Sequence, residues 1–152
     1  PQATFSTDII VGFCSETEEE FEMTHEMMRK VGYDMAYIFR YSQREGTQAA
    51  KTLPDDVPDD VKHRRNQILL EELARHVKAA NAAAVGTLAQ VLVEGPSPRN
   101  PRRWCGRSLT NKMVLFSPDP ALTPGTLADF RIVHATENAL YGEPARTTPP
   151  CA

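Results

Sequence analysis

Cysteine is scarce in this sequence, and its three copies stand far apart, at Cys14, Cys105 and Cys151. An odd number at such spacings argues against a disulfide framework. No CxxC or CxxxC pair occurs, and no histidine stands at ligand spacing from a cysteine, so the chain offers no metal site of its own. An isolated cysteine reads as a small apolar packing residue. Long apolar runs are missing too: no stretch is long enough to cross a bilayer. No basic-then-apolar leader follows Pro1, and because the first residue is not Met the sequence reads as a piece of a longer protein.

What remains is ordinary for a globular chain. With 41% hydrophobic and 24% charged residues over 152 positions, one domain or two small ones can be built. Charge is divided unevenly. Residues 1–84 carry 15 Asp and Glu against 10 Lys and Arg, whereas residues 85–152 carry 5 against 7. The net charge of −3 therefore covers two parts with different surfaces. An acidic total argues weakly against nucleic acid, but a local basic patch still binds phosphates.

Asp8 to Phe13 is continuously apolar after its first residue and predicts a short strand buried on both faces of a parallel sheet. Gly12 and the small pair Cys14-Ser15 permit a sharp turn. Thr17 then stands as an N-cap with Glu20 three residues on, the capping-box spacing. Glu18, Glu19 and Glu20 fill the first turn, where the helix dipole favours negative charge. They are read first as a helix start, with a catalytic carboxylate among them as the alternative. Phe21, Thr24, Met28 and Val31 recur at helical spacing and are expected to face the sheet, and Gly32 is a stop signal. Residues 33–42, "YDMAYIFRYS", predict a second strand. Strand, helix and strand with this crossover length make a βαβ unit with parallel pairing. The turn after Phe13 would then lie at the carboxyl ends of parallel strands, where α/β proteins bind ligands.

Residues 44–60 read as a polar connector punctuated by Gly46, Pro54 and Pro58. A long helix follows to about Ala84, with Val61, Leu69, Leu73, Val77, Ala80 and Ala84 as its apolar stripe. The texture changes near Val85. "TLAQVLVEG" alternates, with Ala89, Val91 and Val93 on one face, and "RRWCGRSL", "NKMVLF" and "GTLADFRIVHAT" are further strand candidates between Pro, Gly and Asn signals. Short strands at this spacing predict a small antiparallel barrel over 85–146, and the tail 147–152 is expected to be disordered.

Four segments in register resemble one family. "STDIIVGFCSETEEEF" is similar to the "TDIIVGFPGETEEDF" type segment of the radical-SAM methylthiotransferases. "YSQREGTQAA" matches their "YSxRxGTxAA" segment, and "DDVPDDVKHRR" the start of the helix leading out of their catalytic domain. "VLVEG" followed by "GRSLTNKMVLF" matches the TRAM domain with which these enzymes end. The match runs from about Thr4 to Gly142 and looks most like the tRNA-modifying branch. The resemblance implies an α/β part followed by an all-β part. Residues 1–84 would be the last βα units of a partial (β/α) radical-SAM barrel with its exit helix, and residues 85–146 an OB-like, RNA-binding TRAM barrel. It also implies S-adenosylmethionine and two [4Fe–4S] clusters in the parent enzyme, the cluster ligands lying upstream of Pro1 and absent from this chain. The reaction implied is methylthiolation of C2 of an isopentenylated adenosine next to the anticodon. The partners would be the tRNA anticodon stem-loop and the rest of the parent chain, with no membrane, in the cytoplasm. The alternative is a stand-alone RNA-binding module without catalysis; a third reading has the orphan parallel strands pairing with another chain.

By the same resemblance, the backbone of Ile10, Val11 and Gly12 borders the adenine of S-adenosylmethionine; the alternative is plain strand packing. Arg44 ends the second strand beside Tyr41 and Ser42, placed to reach cofactor or RNA, or else solvated as a loop arginine. Cys14 and Ser15 stand where many family members have Pro-Gly, which leaves the shape of the turn open. In the second part, Arg99, Arg102, Arg103, Arg107 and Lys112 cluster around Trp104 and Asn111. Cations meet phosphates and a ring stacks on an unpaired base, so the cluster suits RNA; the alternative is a barrel surface with Trp104 as partial core. "TENALYGE" stands where the family has "SLRGE", so Tyr141 replaces an expected arginine contact. No residue is assigned a catalytic or metal-binding role.

Overall fold

The computed structural model describes residues 3–145; the tail expected at 147–152 lies outside the described residues. The chain forms two compact units, Pro1–Val77 and Lys78–Ala152.

In the first unit, strand β1 (Ser6–Val11), helix α1 (Glu18–Val31) and strand β2 (Met35–Arg40) make a parallel βαβ unit, with Ile9 opposite Ile38 and Ile10 opposite Phe39. Both ends of α1 follow from its sequence. The Thr17 hydroxyl accepts from Glu20 N, and the Glu20 carboxylate accepts from Thr17 N at 2.9 Å. Gly32 closes the helix in the left-handed conformation at φ 65. A short helix α2 (Gln48–Thr52), capped by Thr47, interrupts the expected connector, and the long helix α3 (Asp59–Ala83) follows.

Val11, Phe21, Met28 and Leu69 form the core of this unit, flanked by Ile9, Tyr33, Ile38, Ile68 and Leu73. The sheet is covered on this side alone, which corrects the expectation of a strand buried on both faces. Ile10, Tyr37 and Phe39 share the opposite face and are 55%, 56% and 54% exposed. A sheet of two strands has no second helical layer here to cover it. Val31, expected on the packed face of α1, is exposed as well, because the helix is ending there.

The packed face of α3 also differs from its apolar stripe. Its first turns bury Lys62, Arg65 and Asn66 ahead of Leu69, the spacing of one helix face. Val61 lies only partly buried beside them.

In the second unit, β3 (Leu88–Ser97), β4 (Asn100–Ser108), β5 (Met113–Phe116), β6 (Leu127–Ala135) and β7 (Leu140–Pro144) close into a barrel in the order β3-β4-β5-β7-β6. Four neighbouring pairs are antiparallel and β5–β7 is parallel. Strand directions cannot alternate all the way round a ring of odd number, so the purely antiparallel barrel expected from the spacing is replaced by one with a single parallel seam. β7 itself was not anticipated; five residues containing Gly142 and Pro144 carry little strand signal.

The barrel interior holds Val91, Val93, Val114, Phe116, Phe130, Ile132 and Leu140, with the rings of Phe116 and Phe130 4.4 Å apart. Gly106 is required there, since a Cβ would overlap the Leu92 carbonyl oxygen. The last turn of α3 is fastened to this unit by buried Asn81. Its amide donates to Thr136 O at 2.9 Å and Glu137 O at 3.2 Å, and its Oδ1 accepts from Lys112 Nζ at 2.9 Å.

Candidate functional site

The first candidate region is the turn at the carboxyl end of β1. Gly12 takes φ +71, where a side chain is strained, and the stem of Lys62 lies against it. The Gly12 N–H donates to Glu16 Oε2 at 2.6 Å. The same carboxylate oxygen accepts from Arg65 Nη1 at 2.7 Å, and Glu18 Oε2 accepts from Arg65 Nη2 at 2.9 Å. Arg65, 3% exposed, thus satisfies its guanidinium against two carboxylates and the Glu16 carbonyl, with Phe21 against its face at 5.3 Å. Hydrogen bonds from Arg65, then from Arg64, hold the Glu18 carboxyl below its usual range.

Lys62, 2% exposed, reaches Asp55 Oδ1 at 2.5 Å and lies 5.5 Å from the centre of the Tyr41 ring. The Tyr41 hydroxyl is buried without a well-formed hydrogen bond. The Cys14 thiol beside it, ahead of burial, pushes the phenol above its ordinary pKa. Ser15 keeps the left-handed conformation, φ 65, that a glycine would take in the Pro-Gly form of the turn. Asp56 holds it there, accepting from Ser15 N at 2.7 Å and from its hydroxyl at 3.1 Å. The turn shape that the Cys14-Ser15 substitution left open is therefore a clamped left-handed one.

Of the residues expected to border a cofactor, Val11 is fully buried, Ile10 presents its side chain on the open sheet face, and Gly12 has its N–H committed to Glu16. Arg44 projects from the loop after β2, its carbonyl accepting from Thr47 N and Oγ1. Among the described residues no three His, Cys, Asp or Glu side chains come together as a metal site. Cys14 and Cys105 are buried in different units, so the described donor set does not fit an iron–sulfur cluster.

The second candidate region is the β3–β4 hairpin and the barrel wall next to it. Arg99 and Arg102 project from the hairpin end, and among the described residues neither side chain has a partner. Arg103 lies over the Tyr141 ring at 5.3 Å. Arg107 is engaged by Glu94 at 3.6 Å and by the Asn111 carbonyl at 3.2 Å. Lys112 is bonded to Asn81, away from the hairpin end. Trp104 faces inward, against the barrel core. The arginines are thus brought together only in part, and the ring that stands among them on the surface is Tyr141. Reading Tyr141 as a lost arginine missed this; the signal that could have found it was the alternation of "ALYGE", which sets Tyr141 on the face opposite to Leu140. Burial, then the Glu94 carboxylate, pushes the Cys105 thiol up, so it stays protonated.

The architecture is thus a parallel strand–helix–strand unit followed by a closed barrel with a basic hairpin, whose one carboxylate, Glu94, faces Arg107. No family model matches the chain. Comparison with curated proteins finds relatives that share a name. The chain is 48% identical over 139 residues to tRNA-2-methylthio-N(6)-dimethylallyladenosine synthase of Opitutus terrae, covering 91% of this chain and 28% of that protein. The proteins of the same name from Amoebophilus asiaticus and Chlorobium luteolum are 42% and 44% identical over 138 and 143 residues, 91% and 93% of this chain. The chain spans 28% and 32% of their lengths. Among the described residues no helix is long and apolar enough to cross a membrane.

Proposed function

We propose that this chain is the C-terminal portion of a radical-SAM tRNA methylthiotransferase, the enzyme that adds a methylthio group to C2 of isopentenylated adenosine beside the anticodon. The observation that carries the reading is identity of 42–48% to such synthases across more than nine-tenths of the chain. S-adenosylmethionine and the two clusters supply the radical and sulfur chemistry when bound, the clusters being held by cysteines of the upstream chain. Residues 1–84 are then the closing part of the catalytic barrel. The exposed apolar face of Ile10, Tyr37 and Phe39 is the surface that the upstream chain and the cofactor's adenine cover. Gly12 contributes close backbone approach, with its N–H already held, and Arg44 reaches from the loop beyond β2.

Residues 85–146 are the TRAM part, and its hairpin cations meet tRNA phosphates. Arg99 and Arg102 are free to do so; Arg107 and Lys112 first serve the barrel. Such a protein works in the cytoplasm. The test is a chimera: the matching segment of the Opitutus terrae synthase is replaced by this chain, and tRNA nucleosides are analysed by mass spectrometry. Formation of the methylthio nucleoside is expected. A folded, cluster-loaded chimera that binds tRNA but never forms it overturns the catalytic reading. One that binds no tRNA overturns the role of the barrel.

A further inference from the structure

Three side chains that sequence reading left apart meet on the outer wall of the barrel. Tyr141 on β7 is the partner of His134 on β6 and of Leu115 on β5. Leu115 is in turn opposite Cys105 on β4. Arg103 lies two residues from Cys105, hence on the same outer face, and its guanidinium reaches the Tyr141 ring at 5.3 Å. The His134 ring centre lies 5.3 Å from that of Tyr141, tilted by 47°. A bulge between Ile132 and His134 brings this about. Without the extra residue Val133 would stand opposite Tyr141 and His134 would be directed to the core; bulges re-aim side chains in this way.

We infer that Tyr141, flanked by Arg103 and His134, is a stacking site for one unpaired base of an RNA loop. The inference rests on the RNA-binding reading of the barrel and adds Tyr141 and His134 to the basic hairpin set. The core is already filled by Phe116, Phe130 and their neighbours, and Tyr141 is not among them. Its half-buried ring lies instead on the surface, beside a stretch, Gly95 to Pro118, that contains no Asp or Glu and carries Arg99, Arg102, Arg103, Arg107 and Lys112. Arg107 is paired with Glu94, but among the described residues Arg99, Arg102 and Arg103 form no ion pair; such cations attract the phosphates on either side of a base, and a ring among them offers the base a surface. At an exposed ring a guanidinium gains less than a stacked base does, so the base takes the place of Arg103 over Tyr141 and the freed guanidinium turns to the phosphate. The partner this fits is single-stranded or looped RNA, since paired bases present no free face.

The test uses the chain with two probes, a labelled RNA hairpin with an unpaired loop and a fully paired RNA duplex of the same length. Tyr141→Leu fills the same space without an aromatic face, and thermal unfolding checks that the barrel is intact. Tyr141→Leu is expected to weaken hairpin binding about tenfold, with duplex binding and the salt dependence unchanged. Tyr141→Phe and Tyr141→Trp keep the affinity. A fluorescent adenine analogue in the loop is quenched by the unsubstituted chain and not by Tyr141→Leu. Hairpin affinity unchanged in Tyr141→Leu overturns the stacking site and leaves RNA binding by the barrel standing. Equal loss on hairpin and duplex also overturns it, assigning Tyr141 to support of the wall. Failure of the unsubstituted chain to bind either RNA at low salt removes the RNA reading and this inference with it.

Discussion

Lys62 and Gly12 are packed so closely that the lysine stem occupies the space a side chain at residue 12 would need. The first turn of α3 is thereby keyed to one residue in the strand-end turn, 50 positions earlier in the chain. Gly12→Ala adds a methyl both into that stem and at a φ of +71. It should cost the first unit about 2 kcal/mol or more, from backbone strain and overpacking together. Gly46→Ala, at φ +88 with open space around it, meets the strain alone and should cost about 1 kcal/mol. Native-state hydrogen exchange reads both, as lost protection in β1 and α1 with the barrel amides unchanged.

The same contact separates packing from charge at Lys62. Lys62→Met keeps the stem against Gly12 and Tyr41 and removes a buried ammonium. Asp55, its partner, is partly exposed and can rehydrate. Removing one member of a buried pair is costly chiefly through the charge it leaves buried; Asp55 is hydrated instead, so Lys62→Met should change stability by less than about 1 kcal/mol. Lys62→Ala opens a cavity under the turn and should cost at least about 2 kcal/mol. Urea unfolding of both variants decides; a Met variant as damaged as the Ala variant would show that the ion pair dominates.

Acid should loosen the strand-end turn before it affects the barrel. Glu18 is held below its ordinary 4.5 by hydrogen bonds from Arg65 and Arg64, and Asp56 below its ordinary 3.8 by the Ser15 N–H. A carboxylate with a depressed folded value adds stability that is complete above its unfolded value and disappears as pH falls through the folded one. The first unit should therefore be indifferent to pH from neutrality down to near 4.5 and weaken below it. Arg64→Ala should be less stable than the unsubstituted chain at neutral pH, and the difference should close as Glu18 becomes protonated. It should also shrink in high salt, because this arginine is exposed.

Much of this architecture could be read from the residues. Thr17, Glu20 and Gly32 announce both ends of α1, and the apolar runs around it announce parallel strands. The alternation of Ala89, Val91 and Val93 gives the inward face of β3. What escaped was whatever depends on a distant partner. Hydropathy puts Val61 on the packed stripe of α3 and leaves Lys62 and Arg65 in solvent. The fold reverses this because Asp55, Glu16 and Glu18 arrive from other turns to satisfy the charges. Tyr141 and His134 meet only through the register of β6 on β7 and its bulge, which no single segment encodes. Trp104 drew attention as the one tryptophan near the arginines, yet strand alternation turns it to the core.

Asn81 should be the most sensitive polar residue of the second unit. It is 4% exposed and meets two carbonyls and one ammonium. Asn81→Leu removes the donor from the Thr136 and Glu137 carbonyls and should cost about 2–4 kcal/mol. Asn81→Asp keeps the shape and the Lys112 contact but sets a carboxylate oxygen against the Thr136 and Glu137 carbonyls, so it should not rescue. Thermal unfolding of the chain followed by Trp104 fluorescence reads both, since Trp104 packs on the barrel core.

The hairpin cations should differ in what they contribute to RNA. Among the described residues the Arg102 side chain has no partner to give up, whereas Arg107 is already engaged by Glu94 and the Asn111 carbonyl. Each phosphate contact releases counterions, so removing one lowers the slope of log affinity against log salt by about 1. Arg102→Ala should show that reduction and weaken hairpin and duplex RNA alike, because a phosphate contact carries no base preference. Arg107→Ala should change the slope by much less, since binding RNA through Arg107 requires breaking the Glu94 pair first. A salt titration with both probes separates the two. Equal slopes for the two variants would mean that the Glu94 pair opens freely in solution and that the hairpin presents its arginines as one undivided patch.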